Sequence, residues 1–312
     1  MKPLVLVTGG AGYIGAILCE HLLRKKYRVL VVDKLLHHQP SLLHLCANPD
    51  FEFILGDVRD EALLKPLLKK ADVIIPLAAV VGAPACEKDP WLAESVNLRA
   101  LRWLSKNRSP RQLIIYPNTN SGYGAKSGET FCTEESPLEP ISLYGRLKVQ
   151  AEKELLQSPN VITLRLATVF GVSPRMRIDL LVNHFVHSAF FDRYIVIFEK
   201  DFKRNYIHIR DVADCFLHCI ENSEKMTGKA YNAGLDGANY SKAQLAEIIK
   251  KHIPDFHIHY SEIGKDPDKR NYIVSNQRLR EAGFEAKRSL EAGISELILA
   301  YRMMGASPYK NV

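Results

Sequence analysis

Apolar residues along the chain gather in short runs: Leu4–Val7, Val29–Val32, Phe51–Leu55, Val73–Leu77, Leu113–Tyr116 and Val161–Leu166. The stretches between them place apolar positions at helical spacing. Runs this short, separated by helices of about 10 to 15 residues, predict βαβ units around a parallel sheet buried on both faces. Six strands in this order predict a doubly wound α/β sheet, with ligands at the carboxyl ends of the strands. After Gly171 the rhythm breaks. Ser173-Pro174 opens a stretch without βαβ regularity, and Tyr206–Glu221 reads as a strand turning into a helix that returns to the first part. Beyond Gly228 come short elements punctuated by Gly and Pro.

The first run is followed by TGGAGYIG and, after a helical stretch and the second run, by an acid, Asp33. Gly9, Gly12 and Gly15 stand three apart, and each spacing has a physical use in holding a dinucleotide. Gly9 permits the tight turn off the strand, Gly12 lets backbone N–H groups near a pyrophosphate, and Gly15 lets helix and sheet pack closely. Asp33 is placed to accept the hydroxyls of an unphosphorylated ribose, and it would repel a 2′-phosphate. NAD is therefore expected over NADP, although Lys34 follows directly. Asp57 in the GDV that closes the third run either bonds an adenine amino group or caps a helix. The expected organisation is an NAD-binding Rossmann domain over 1–172, with 205–226 returning to it. Segments 173–204 and 227–312 form a smaller, partly interleaved C-terminal substrate domain.

Composition narrows the class. The 312 residues include 42 Lys and Arg against 35 Asp and Glu, a net charge of +7. These cations are scattered among acids and form no long basic run, so nucleic acid is not an expected partner; a few arginines binding an anionic ligand account for the excess. Glycines and charged residues interrupt the apolar N-terminal stretch, and no apolar segment is long enough for a bilayer, so neither a signal peptide nor a membrane anchor is expected. The six cysteines lack CxxC spacing, and Cys215 and Cys219 share a helix face in a way that suits packing, not a metal site. Reduced thiols in a cytoplasm and no metal are the simplest expectations.

Two segments carry candidate chemistry. Tyr144 and Lys148 lie four apart in SLYGRLKVQAEKELL, on one helix face. A tyrosine at its usual pKa near 10 is a poor base at neutral pH; lowering it by about three units takes roughly 4 kcal/mol in favour of the anion. A lysine ammonium and a cationic nicotinamide could supply that in a dry cleft. Thr119, in PNTNSGYG at the end of the fifth run, could bond the same substrate oxygen; a polar turn is the plain alternative.

Taken together, TGGAGYIG, Asp33, GDV, LAA, Asn97, Thr119, Tyr144-x3-Lys148 and RLATVFG resemble the extended short-chain dehydrogenase/reductase family of nucleotide-sugar enzymes along essentially the whole chain. The resemblance implies that Tyr144 removes a hydroxyl proton while C4 passes hydride to NAD⁺, with Lys148 on the nicotinamide ribose and Thr119 at the substrate O4. It implies a cofactor cleft formed by Gly9, Gly12, Tyr13, Ile14, Gly15, Asp33, Asp57, Val58, Leu77, Ala78, Ala79 and Asn97, with Tyr144 and Lys148. Arg204 and Arg270 match arginines that grip the nucleotide diphosphate, where a guanidinium fork suits phosphate oxygens. Ser121, Thr168, Arg175, Arg177 and Asn183 are further expected substrate contacts. Pro76-Leu77 departs from the His-Leu or His-Gln of many members, and Thr168 from their asparagine.

Several reactions share this opening oxidation. A 4,6-dehydratase carries Asp and Glu after the threonine; Asn120 and Ser121 stand here and cannot act as that acid and base. A 4-epimerase needs only Tyr144, Lys148 and a roomy cleft. At finer grain, GAPACEKDP, PNTNSGYG, SPRMRIDLLVN and DPDKRNYIVSN resemble bacterial dehydrogenases of capsular pathways that oxidise C4 of a GDP-heptose and stop there. A GDP-sugar is thus the favoured substrate, C4 oxidation the leading reading, 4-epimerisation the alternative, and a non-catalytic NAD-binding regulator a distant third. The helical stretches Pro90–Lys106 and Leu143–Leu156 could pair two copies into a homodimer.

Overall fold

The computed structural model describes residues 2–126, 131–263 and 271–305. Strands β1 (Leu4–Thr8), β2 (Arg28–Asp33), β3 (Phe51–Leu55), β4 (Val73–Pro76) and β5 (Leu113–Thr119) follow the first five apolar runs. The short β6 (Phe131–Cys132) precedes β7 (Val161–Leu166), which is the sixth run. Then come β8 (Thr168–Phe170), β9 (Tyr194–Phe198), β10 (Lys203–His208), β11 (Lys229–Ala233), β12 (Asn239–Ser241), β13 (His257–Ser261) and β14 (Ile273–Val274).

Seven of these strands form one parallel sheet in the order β11-β7-β5-β4-β1-β2-β3. The order reverses between β1 and β4, which opens a crevice at their carboxyl ends. One face is covered by the helices Tyr13–Arg24 and Ile209–Glu221, which bury Ile17, Cys19, Val212, Cys215 and Phe216 against Val5, Val31 and Ile115. Helices Glu61–Leu68, Ala100–Asn107 and Leu143–Leu155 cover the other, with Leu64, Leu101, Leu104 and Leu147 against Leu6, Ile74 and Ile114. Both faces being dry explains why β1, β2, β4, β5 and β7 read as continuous apolar runs; β3, at the sheet edge, stays half-exposed.

The seventh strand corrects the expected domain division. Lys229–Ala233, placed by the sequence reading in the smaller domain, pairs in parallel with β7, from Lys229 beside Ile162 to Ala233 beside Leu166. KAYNA has too few large apolar residues to register as a run. Helix Ile209–Glu221 packs on the main sheet, but its preceding strand β10 pairs with β8 and β12 outside it.

The smaller part has its own core of Val182, Phe185, Ile195, Leu245, Ile249, Ile294, Leu297 and Tyr301. The helix expected over Pro90–Lys106 is broken into Pro90–Glu94, a π-helical turn over Ser95–Arg99, and Ala100–Asn107. Such turns often re-aim one side chain at a site; here Asn97 sits in it. All six cysteines are free. Among the described residues no group of three or more metal-ligating side chains forms, and no helix is long and apolar enough to cross a membrane.

Candidate functional site

The glycine loop leaves β1 at Gly9, whose φ of +75° is a left-handed conformation; a Cβ there would stand 2.5 Å from the backbone nitrogen of Ala78. A Cβ on Gly15 would lie 2.5 Å from the carbonyl oxygen of Gly10, so helix and loop approach as the spacing demands. Gly12 is the N-cap of helix Tyr13–Arg24 and supplies no side-chain cap, so the helix's first N–H groups face outward as an anion cradle. Asp33 ends β2 with its carboxylate fixed, accepting from Ala11 N at 2.9 Å and from Leu35 N at 2.8 Å. Tyr13 is buried and Ile14 half-buried against the same helix layer.

Asp57 is not a helix cap; Asp60 caps helix Glu61–Leu68. The Asp57 carboxylate instead receives Arg59 at 2.9 and 2.6 Å and Lys34 at 3.0 Å, and these cations hold it well below the usual carboxylate range. Val58 lines the crevice with Thr8, Pro76, Ala78, Ala79, Asn97, Tyr116 and Lys148. The strand end beneath is pinned: Leu77 N and Ala78 N both donate to Thr8 O at 2.8 Å. Asn97 clasps the next turn, accepting from Val80 N at 2.8 Å and donating to Val80 O at 2.9 Å.

Tyr144 and Lys148 stand one turn apart on helix Leu143–Leu155, capped by Ser142, whose hydroxyl accepts from Gly145 N at 3.1 Å. Tyr144 is half-buried and packs on the same apolar layer as Tyr116. Lys148 is only 4% exposed, and its ammonium lies 4.0 Å from the Tyr116 ring centre. Burial brings its pKa down to about 7, partly opposed by the negative charge of Glu152. Burial also holds the Tyr116 phenol well above its ordinary range.

Thr119 closes β5. Its hydroxyl accepts from Ser121 N at 3.1 Å and pairs with the Ser121 hydroxyl at 2.9 Å, so the turn after the strand is wound around it. Beneath it lies a buried chain of bonds that the sequence reading missed. Thr119 N donates to Asn118 Oδ1 at 2.8 Å, and Asn118 Nδ2 donates to Glu152 Oε2 at 2.7 Å. Glu152 Oε1 takes two bonds from Arg165, at 3.0 and 2.7 Å. An arginine inside an otherwise apolar strand, and an acid four residues after Lys148, were the available signals. Asn120, one residue past Thr119, is 1% exposed, with neither amide atom hydrogen-bonded among the described residues.

The remaining sequence-predicted residues scatter. Thr168 is half-buried at the start of β8, with its hydroxyl oxygen unpaired among the described residues. Arg204 is buried in β10, opposite Tyr240. Asn183 is fully buried and employed structurally: its Nδ2 donates to the Tyr13 hydroxyl at 3.2 Å and to Arg177 O at 2.9 Å, and its Oδ1 accepts from Gly171 N at 3.1 Å. Arg177 pairs with Asp179, and Arg175 is buried beside it. Arg270 lies outside the described residues.

A loop of close backbone N–H groups, an acid fixed at the next strand end, and Lys148 lining the crevice one turn from Tyr144 together suit a bound dinucleotide. The chain belongs to the NAD dependent epimerase/dehydratase family, whose model matches residues 5–234. It is 31% identical over 265 residues to an uncharacterized UDP-glucose epimerase of Bacillus subtilis, covering 79% of each chain. It is 25% identical to UDP-glucuronic acid decarboxylase 1 of Arabidopsis thaliana, over 96% of this chain and 69% of that one. The fold matches dTDP-glucose 4,6-dehydratase of Bacillus anthracis with a TM-score of 0.85, at 23% identity over 99% and 100% of the two chains. UDP-glucose 4-epimerase of Thermotoga maritima gives 0.85 at 24% identity, over 96% and 99%. The protein is thus an NAD-dependent member of that family. The uncapped helix end at Gly12 and the fixed Asp33 carboxylate fit the pyrophosphate and ribose of NAD.

Proposed function

We propose that the protein oxidises C4 of a nucleotide sugar and, as a 4-epimerase, re-reduces the ketone. The observation that carries the oxidation is the buried ammonium of Lys148 one turn from Tyr144, on the helix that faces the end of β5. Tyr144 takes the proton from the C4 hydroxyl; Lys148 stabilises its anion and holds a ribose hydroxyl; Thr119 orients O4. Bound NAD supplies the hydride acceptor. Asn120 and Ser121 offer no carboxyl group for eliminating water, which speaks against a dehydratase. Re-reduction is supported by the epimerases among the relatives. Arg204 and Arg270 are the proposed diphosphate contacts, and Ser121 and Thr168 lie toward the sugar.

A second reading ends at the 4-keto sugar, with GDP-D-glycero-D-manno-heptose as substrate. It is supported by the four segments GAPACEKDP, PNTNSGYG, SPRMRIDLLVN and DPDKRNYIVSN. A cytoplasmic homodimer accompanies either reading, paired through the helices around Trp91 and Ile141, both exposed.

The test is incubation with NAD⁺ and a panel containing UDP-glucose, UDP-galactose and GDP-D-glycero-D-manno-heptose, followed by mass spectrometry and NMR. An isomer of unchanged mass establishes the epimerase. A product two mass units lighter with a C4 ketone or its hydrate establishes the dehydrogenase. No reaction with any sugar overturns both and leaves the regulator.

A further inference from the structure

The segment Ser173–Asp179 joins the two parts of the molecule at an informative place. Ser173 Oγ donates to Tyr13 O at 2.8 Å, and the Tyr13 hydroxyl donates to Gly171 O at 2.7 Å. Tyr13 directly follows Gly12, so the segment is bonded to the first turn of the anion-cradling helix. Asn183 ties the Tyr13 hydroxyl to the carbonyl of Arg177. Arg175 is close enough to Arg177, Asp179 and Asp33 for their charges to act on one another, and His37 feels both arginines and both acids. All of this is at the β2 side of the crevice. Thr119 ends β5, three strand spacings away in the sheet, or about 14 Å.

We propose that Arg175 and Arg177 bind the adenosine half of NAD, its ribose and adjoining phosphate, and do not touch the sugar. A dinucleotide brings two negative charges to the Gly12 end of the helix, and two guanidiniums from the opposite part of the molecule close over them. Arg175 is 3% exposed, with its Nη1 donating to Met176 O. Arg177 is paired with Asp179, which receives Nε at 3.3 Å and Nη2 at 2.5 Å and can give way to an arriving phosphate. The cofactor is thereby clamped from both sides. The second part of the chain grips NAD independently of which sugar it accepts.

The test is calorimetric, on protein stripped of nucleotide, and does not depend on turnover. Arg177 is at the margin of the core, so Arg177→Ala is the first variant. It should weaken NAD⁺ and ADP binding about tenfold or more, the worth of one charge-assisted phosphate bond. Nicotinamide mononucleotide, GDP and UDP should bind as before, and Arg177→Lys should recover part of the loss. Asp179→Asn breaks the same ion pair but keeps the cation, so it should retain NAD⁺ affinity. Unchanged NAD⁺ binding in Arg177→Ala overturns the proposal. So does an equal loss for GDP or UDP, or an Asp179→Asn variant as weak as Arg177→Ala. These readings stand even if no sugar in the panel reacts, so the two proposals fail separately.

Discussion

Lys148 keeps its ammonium 4.0 Å from the ring centre of Tyr116 at the floor of the crevice, almost wholly out of water. The aromatic face is a weak partner for so buried a charge, which is why its pKa falls to about 7. In the unfolded chain the same lysine holds its proton up to about 10.4. Between these values the unfolded state binds more protons, so stability should rise with pH from about 7 toward 10. The penalty is fully present below about 7. Lys148→Met should therefore stabilise the nucleotide-free protein at neutral pH, by on the order of 4 kcal/mol, while removing activity. Denaturant melts at pH 7 check this; a destabilised variant contradicts it.

Tyr144→Phe removes only a hydroxyl from a half-buried ring. Turnover should fall by about 10²- to 10⁴-fold, as for loss of a general base, with NAD⁺ affinity nearly unchanged. Single-turnover kinetics and NAD⁺ titration separate the two; an equal loss in both would remove Tyr144 from the role of base.

The buried pair Glu152–Arg165, with side chains 2% and 7% exposed, supports Thr119 through Asn118. Glu152→Gln leaves an uncompensated guanidinium and should cost about 3 to 5 kcal/mol of stability. It should also lower kcat, because the anchor under Thr119 is weakened. A chemical melt and a kcat measurement report each effect.

Gly9→Ala places a methyl against the backbone of Ala78 at a φ of +75°. Neither backbone can yield without moving β1 or β4, so the variant should lose NAD binding, read by calorimetry, or fail to fold, read by circular dichroism.

Arg204→Ala should raise KM for the nucleotide sugar without changing the affinity for NAD⁺. An unchanged KM would take Arg204 out of the diphosphate site.

Much of this was legible in the chain because it is carried by local pattern. Five of the six apolar runs became strands since they are buried on both faces, whereas the third, β3, is the half-exposed edge of the sheet; the glycine spacing and Asp33 report a backbone geometry that few other residues permit. What stayed hidden depends on contacts between distant segments. β11 is short and half polar, and only its pairing with β7 makes it a strand of the main sheet. The π-helical turn at Asn97 interrupts a sequence with unbroken helical spacing. The segment that carries Arg175 and Arg177 is held to the first turn of the Gly12 helix by bonds from Ser173 and Asn183 to Tyr13 that no periodicity announces.

The late arrival of β11 has a bearing on how the protein is made. The NAD-binding sheet is not a contiguous piece of the gene: its edge strand and one covering helix are encoded after residue 208. A nascent chain that has reached residue 172 exposes the open edge of β7 and an uncovered apolar face, both prone to association. Completion must wait for pairings across more than sixty positions, from Ile162 to Lys229. Such non-local closure slows folding. It also means that the cofactor half cannot be cut out at residue 172 and grafted as a module; any transplant has to carry the chain through Ala233.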